Sequence, residues 1–205
     1  TLNAVVTSRP FQGKLLRDAL SELESSPARM VRDAIRLGVL EGQTIPQMVQ
    51  RLRGTRALRY KAGVMNIGRR QAEALVRTAV SHTTSAAREE TYLANSDIIK
   101  AESWTATLDS RTCVSCQSLD GQEFELGKGP RTPLHYSCRC VRVPVLKSWE
   151  EMGFGKGELP EGTRASMDGQ VPATMTYNEW LRKQSAAVQD EALGPTRGKL
   201  FREGK

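Results

Sequence analysis

The sequence predicts an α+β fold, with a helical N-terminal half packed on a small antiparallel module and a helix near the C-terminus. Apolar residues recur at three- and four-residue steps between residues 30 and 94, which is typical of amphipathic helices. The period then changes to the two-residue alternation of strands. We therefore divide the chain into a helical region, 1–95, an α+β module, 96–150, and an irregular connector with a C-terminal helix, 151–205.

Start and stop signals place the N-terminal helices. Ser26-Pro27 joins a cap residue to a proline at the first helical position, and Gly42 ends that helix. Thr44, followed two residues later by proline, begins a second helix. The longest helix is expected from about Arg69 to Ala94, because an apolar stripe runs along its whole length.

The positive charge is concentrated in one basic segment. The chain has a formal net charge of +7, and the whole excess falls in residues 1–95. Between residues 51 and 70 the sequence contains no acid. Such a segment suits a phosphate backbone or an acidic protein surface, and the alternative is a solvated face. Its basic residues are Arg51, Arg53, Arg56, Arg59, Lys61, Arg69 and Arg70.

Strand signals follow the long helix. Residues 98–108 predict a strand with Trp104 on one face and a bulge near residue 102. Asp120-Gly121 is a hairpin-turn signal, and the alternating valines of 141–145 predict a strand near a sheet edge.

The C-terminal third is predicted to be largely irregular. Residues 153–171 are rich in glycine, proline and charge, which is typical of a connector. One final helix is expected from about Thr176 to Leu193, and Gly194-Pro195 ends it.

Cysteine spacing predicts that the antiparallel module is zinc-binding. Cys113 and Cys116 form a C-x2-C pair, and His135, Cys138 and Cys140 follow after a loop. Two close sets of ligands that a loop brings together suit a tetrahedral zinc, and clustered cysteines favour a metal site over a disulfide scaffold. A site filled by protein ligands is structural, because no coordination position stays open for water.

Five candidate ligands compete for four positions. Cys113 and Cys116 are expected in every arrangement. Either His135 joins them with one or both of Cys138 and Cys140, or the four cysteines bind and His135 does not. We favour His135 as a ligand. Residues two apart on a strand point the same way, so Cys138 and Cys140 could both face the metal.

Three other features of the sequence argue against a membrane partner, ADP-ribosyltransferase catalysis and metal ligation by His82. No run approaches the length of about 20 apolar residues that a membrane span needs, so no membrane partner is expected. Glu123-Phe124-Glu125 is a Glu-x-Glu triplet of the kind found in ADP-ribosyltransferases, but no partner motif accompanies it. His82 lies beside the apolar stripe of the long helix and is expected to be a packed or surface residue.

The ordered motifs resemble the Mu F-like phage head morphogenesis proteins, the minor head proteins of tailed bacteriophages. The resemblance covers roughly residues 30–200. It rests on 104–116, Leu119-Asp120-Gly121-Gln122, Pro133-Leu134-His135 and Cys138-Arg139-Cys140, with Val76-Arg77-Thr78-Ala79 before them and Tyr177, Trp180-Leu181, Gln184 and Leu193-Gly194 after them.

This resemblance implies a non-enzymatic minor capsid protein that takes part in head morphogenesis. Its implied partners are the portal protein and the inner capsid, with double-stranded DNA as a further candidate partner for Arg51–Arg70. It implies a place in the virion, in the head interior or portal region, and in the host cytoplasm during assembly. DNA packaging, delivery or ejection is the implied process.

A metal-dependent nuclease of the His-Asn-His type is the alternative function. Such nucleases also use paired cysteine knuckles, but their chemistry needs a histidine that activates water and further ligands for a catalytic cation. The sequence contains two histidines, His82 and His135, and His135 is expected at the zinc. The histidine count therefore favours the structural protein.

Overall fold

The structure of the chain is a computed structural model. The structure describes residues 10–11, 14–15, 25–57, 59, 63, 69–155, 157 and 162–204. It divides into two compact units, one formed by Thr1–Arg88 with Arg131–Cys138 and the other by Glu89–Pro130 with Arg139–Lys205. The described part has seven helices and small antiparallel sheets, so the α+β class is confirmed.

The first unit begins with a short hairpin and contains the predicted helices. Strands β1 (Pro10–Phe11) and β2 (Lys14–Leu15) pair antiparallel. Helices α1 (Ser25–Leu40) and α2 (Ile45–Arg53) follow, and α3 (Arg69–Ala94) has the predicted bounds.

The helices of the first unit share one small apolar core. Its buried members come from all three helices: Val31, Ala34, Met48, Leu52 and Val76. The start of α2 is fixed locally, because the backbone N–H of Thr44 donates to Oε1 of Gln47 at 2.7 Å. Gly54, with φ of 85°, ends α2 in a conformation that favours glycine.

The second unit is built on a three-stranded antiparallel sheet. Strand β3 (Ile99–Thr105) lies between β4 (Glu123–Glu125) and β5 (Val141–Leu146), so the prediction of an edge strand at 141–145 is confirmed. The irregularity in β3 lies between Ile99 and Ala101 rather than near 102. Beyond this irregularity the predicted apolar face is confirmed, because Trp104, Ala106 and Leu108 are all buried.

The sequence predicts a hairpin turn at Asp120-Gly121, but these residues do not form the tip of a β-hairpin. They connect helix α4 (Val114–Leu119) to β4. The Asp120 carboxylate is buried and accepts hydrogen bonds from the backbone N–H of Ala106, at 2.6 Å, and of Tyr177, at 2.5 Å. It also forms an ion pair with Arg164, with 3.0 Å between Oδ1 and Nη2. The turn signal is therefore explained by a buried carboxylate that connects distant parts of the unit.

The C-terminal third is more ordered than predicted. Strands β6 (Thr163–Ser166) and β7 (Gly169–Pro172) form a hairpin within the segment expected to be irregular. Helical residues follow in three short helices rather than one: α5 (Tyr177–Arg182), α6 (Ala186–Leu193) and α7 (Pro195–Arg202).

Local chemistry explains the division into three helices. The hydroxyl of Ser185 accepts a hydrogen bond from the backbone N–H of Val188 and so begins a new helix, α6. Gly194 ends α6 as predicted, but Pro195 takes the first position of α7. A proline after a glycine can therefore begin a helix as well as end one.

Candidate metal centre

The structure brings all five predicted ligand residues into two overlapping groups. The first group is Cys113, Cys116 and His135, and the second is Cys116, Cys138 and Cys140. Within each group, one ligand atom of every residue lies within 4.8 Å of the others. Sulfur atoms bound to one zinc at about 2.3 Å lie about 3.8 Å apart, which is within this limit. Both groups could hold a metal ion, and Cys116 belongs to both.

The C-x2-C pair lies at the start of α4. Cys113 caps this helix, and its Sγ accepts a hydrogen bond from the backbone N–H of Cys116 at 3.4 Å. This hydrogen bond fixes the position of the Cys113 sulfur relative to the first turn of the helix. Cys116 lies one turn later and is buried. Sequence reasoning missed α4 because six residues are too few to show helical periodicity.

His135 lies in a tight turn that holds its ring. Its Nδ1 is 2.9 Å from the carbonyl oxygen of Tyr136. A carbonyl only accepts hydrogen bonds, so Nδ1 carries the proton and Nε2 keeps the lone pair that a metal needs. The backbone N–H of Cys138 donates to the carbonyl of His135 at 3.1 Å, and Ser137 has a positive φ of 57°. This geometry fits His135 as a ligand through Nε2.

Two threonines connect this turn to α3, and sequence reasoning did not identify either. The hydroxyl of Thr78, on α3, accepts from the backbone N–H of Ser137 at 2.9 Å. The hydroxyls of Ser85 and Thr132 are also 2.9 Å apart. Thr78 and Thr132 are both buried. For Thr78, a small polar side chain beside the apolar stripe of a helix is the signal that could have indicated such a contact, whereas Thr132 lies in a loop and had no such signal.

The last two cysteines alternate with an exposed arginine. Cys138 and Cys140 are buried, whereas Arg139 between them is exposed. The three residues precede strand β5, so the strand on which the prediction relied begins after them. Arg139 forms a two-point ion pair with Asp109, with 2.8 Å between Nη2 and Oδ1.

Asp109 supports the loop before the C-x2-C pair. Its carboxylate accepts from the backbone N–H of Arg111 at 3.0 Å and from the hydroxyl of Thr112 at 3.3 Å. The Arg139 guanidinium, through its hydrogen bonds and charge, lowers the pKa of the Asp109 carboxyl. Arg111 also forms an ion pair with Asp109, with 3.7 Å between Nη2 and Oδ2, and Arg139 makes the closer pair. Sequence could not show this, because the two residues are 30 positions apart.

The other candidate residues lie outside this cluster. His82 is buried on α3, as expected of a packed residue. Glu123 and Glu125 are exposed on β4, and Glu125 forms an ion pair with Lys128 at 2.6 Å.

In the basic segment, Arg51 forms an ion pair with Glu41 at 2.6 Å. Lys61 lies outside the described residues. The side chains of Arg56, Arg59, Arg69 and Arg70 are exposed.

A protein-family comparison matches most of this architecture. Residues 29–143 match the family described as "Phage Mu protein F like protein". The matched range covers most of α1, all of α2, α3, β3 and β4, the first half of β5 and every candidate ligand residue. No described helix is long and apolar enough to cross a membrane.

Two curated proteins are similar over part of their length. The chain is 24% identical over 192 residues to the NAD(+)–arginine ADP-ribosyltransferase EFV of Enterococcus faecalis, covering 85% of this chain and 36% of that protein. It is 40% identical over 58 residues to an uncharacterized protein of Haemophilus influenzae, covering 26% of this chain and 13% of that protein. The chain thus spans about a third or less of these relatives. No solved structure matches it.

Proposed function

The chain belongs to the phage Mu protein F-like family, and from this premise we propose that it is a minor head protein of a tailed bacteriophage. It acts in head morphogenesis without catalysing a reaction, associates with the portal protein and inner capsid, and contributes to DNA packaging or delivery. The observation that carries this proposal is the family match across residues 29–143, which includes helices α2 and α3 and the Cys/His cluster. The nuclease alternative draws no support from this match.

A test of this function is to remove the gene from the encoding phage and to follow the protein in assembling heads. We expect the tagged protein in portal-containing procapsids, and we expect phage without the gene to give fewer infectious particles. Normal infectivity without the gene, with no tagged protein in purified heads, would contradict the proposal.

We further propose that structural zinc closes the Cys/His cluster. The donors are thiolates and an imidazole nitrogen, which are the ligands that zinc prefers. Cys113, Cys116 and His135 would hold it with one of Cys138 and Cys140, and the remaining cysteine would lie beside the shell. A bound zinc would cross-link the loops that carry these residues. It would not activate a water molecule, because four protein ligands leave no coordination position open.

His135→Ala separates the two possible ligand sets. We expect zinc affinity to fall by about 10–100-fold or more without complete loss, because the fifth candidate residue can take the vacant position. Competition with a chromophoric chelator measures this affinity. Tyr136→Ala is the matched control, since it keeps the carbonyl that orients the ring. If His135→Ala binds zinc as tightly as the parent, the four cysteines are the ligands.

The likeness to an ADP-ribosyltransferase does not lead us to propose catalysis. That name belongs to a protein of which this chain covers 36%. The Glu-x-Glu triplet lies on a strand where Glu123 and Glu125 are solvent-exposed, and Glu125 is engaged by Lys128. An exposed, paired carboxylate lacks the enclosed surroundings that tune catalytic acids.

The basic segment, residues 51–70, is proposed as a contact surface for the portal protein or for double-stranded DNA. The segment contains seven basic residues and no acid, and although Glu41 pairs with Arg51, the net positive charge is repulsive and an anionic partner would relieve that repulsion. DNA binding through it would be independent of sequence and would weaken steeply with salt, because neutralised phosphates release counterions.

Replacing Arg53, Arg56, Arg59 and Lys61 together with glutamine tests this surface. We expect the variant to fold like the parent by circular dichroism and to lose either DNA binding or co-purification with the portal. For DNA, about four fewer phosphate contacts would reduce the slope of log affinity against log salt by about 3–4. No change in either measurement would mean that the segment is a solvated face.

A further inference from the structure

The described part of the basic segment borders a cavity of about 300 Å³ in the first unit. One side is the face of α2, with the apolar residues Ile45, Pro46 and Val49. The other side is the start of α3. We call this cavity the α2–α3 cleft. Its volume is at the lower end of pockets that bind small ligands or side chains.

Arginines surround the α2–α3 cleft. Arg53 and Arg56 lie at and after the end of α2, and Arg69 and Arg77 project from α3. One acid is present, Glu73, and Arg77 engages it through Nε at 3.0 Å and Nη2 at 2.8 Å.

Two of these arginines remain without a matching acid. Among the residues that the structure describes, neither Arg56 nor Arg69 forms an ion pair, and both side chains are exposed. Arg69 also lies in the first turn of α3, which has no acidic residue. A positive charge there opposes the helix dipole, so the fold itself gains nothing from this placement.

The shape of the cleft distinguishes between anionic partners. A DNA duplex, whose major groove alone is about 12 Å wide, is too large to enter it and would contact only the rim. The apolar wall of α2 would then contribute nothing to the binding of DNA. A peptide that carries carboxylates around an apolar side chain matches both the wall and the rim.

We infer that the α2–α3 cleft binds an acidic segment of a partner protein, with an apolar side chain against Val49 and carboxylates on Arg56 and Arg69. This inference rests on the proposal that the basic segment is a contact surface, and it specifies the chemistry of the partner. Paired guanidinium–carboxylate bonds give orientation, and the buried apolar side chain gives specificity.

Fluorescence anisotropy with the full chain and three labelled probes tests the inference. The probes are a short peptide with glutamates flanking a leucine, the same peptide with serine in place of leucine, and a short DNA duplex. We expect the serine peptide to bind about tenfold more weakly than the leucine peptide, because burial of one leucine is lost.

Two matched double variants separate the cleft from general charge. Arg56→Gln with Arg69→Gln removes two charges at the cleft. Arg59→Gln with Arg70→Gln removes two exposed charges of the same segment that do not line it. We expect the cleft pair to weaken leucine-peptide binding by about tenfold or more and the control pair by about twofold or less.

The outcomes separate this inference from the broader proposal. Equal weakening by both pairs, equal binding of the two peptides, or no binding of the leucine peptide would overturn the inference. If the duplex still binds in these cases, the contact surface is a DNA surface. If no probe binds and the four-residue glutamine variant still assembles normally, the contact-surface proposal fails too.

Discussion

Cys116→Ser is expected to abolish metal binding and to unfold the module of residues 96–150. Cys116 is buried and belongs to both groups of potential ligands, so its loss leaves neither group complete. Structural zinc sites supply about 10–16 kcal/mol of apparent binding free energy, which is comparable to the whole stability of a typical domain, about 5–15 kcal/mol. Cys113→Ser is expected to have the same effect. Chelation of the parent protein should unfold this module while α3 keeps some helicity.

Circular dichroism and tryptophan fluorescence measure this effect together. Trp104 is fully buried in β3 and should become exposed, whereas part of the helical signal should persist. Ser115→Ala, in the same turn between the two cysteines, is the matched control and should bind metal like the parent. A Cys116→Ser protein that retains metal and the parent's fluorescence would refute the assignment.

Asp120→Ala is expected to destabilise the second unit by about 3–5 kcal/mol, because it leaves the Arg164 guanidinium buried without its partner. The same change removes the acceptor of two backbone N–H groups, those of Ala106 and Tyr177. Asp120→Asn keeps the shape of the side chain but removes its charge. Its unfolding free energy should therefore lie between those of the parent and of Asp120→Ala.

Urea unfolding at equilibrium, followed by fluorescence, measures this loss. Asp97→Ala is the matched control, since Asp97 is exposed, and it should change the unfolding free energy by about 0.5 kcal/mol or less. An unfolding midpoint of Asp120→Ala equal to that of the control would show that the buried carboxylate does not stabilise the unit.

Local patterns in the sequence predicted the long elements and the Cys/His residues that the structure brings together. The apolar stripe of α3 repeats over 26 residues, so its bounds were accessible from periodicity alone. The strand at 99–105 and the edge strand β5 followed from alternation. Cysteine and histidine spacing identified the cluster because metal ligation restricts residue type.

Contacts between distant positions were not accessible in the same way. Asp120 and Arg164 are 44 residues apart, and nothing in either local sequence indicates the other. Short elements were missed for a related reason. Helix α4 and the β6–β7 hairpin have six and four residues per element, too few for a period to emerge from turn-rich sequence.

The most direct test of the metal centre is elemental analysis of freshly purified, reduced protein. The proposal predicts about one zinc per chain, held by the cluster between Cys113 and Cys140. It also predicts that Cys116→Ser protein purified in parallel contains none. Parent protein that is folded and contains no zinc or other metal would contradict the proposed centre.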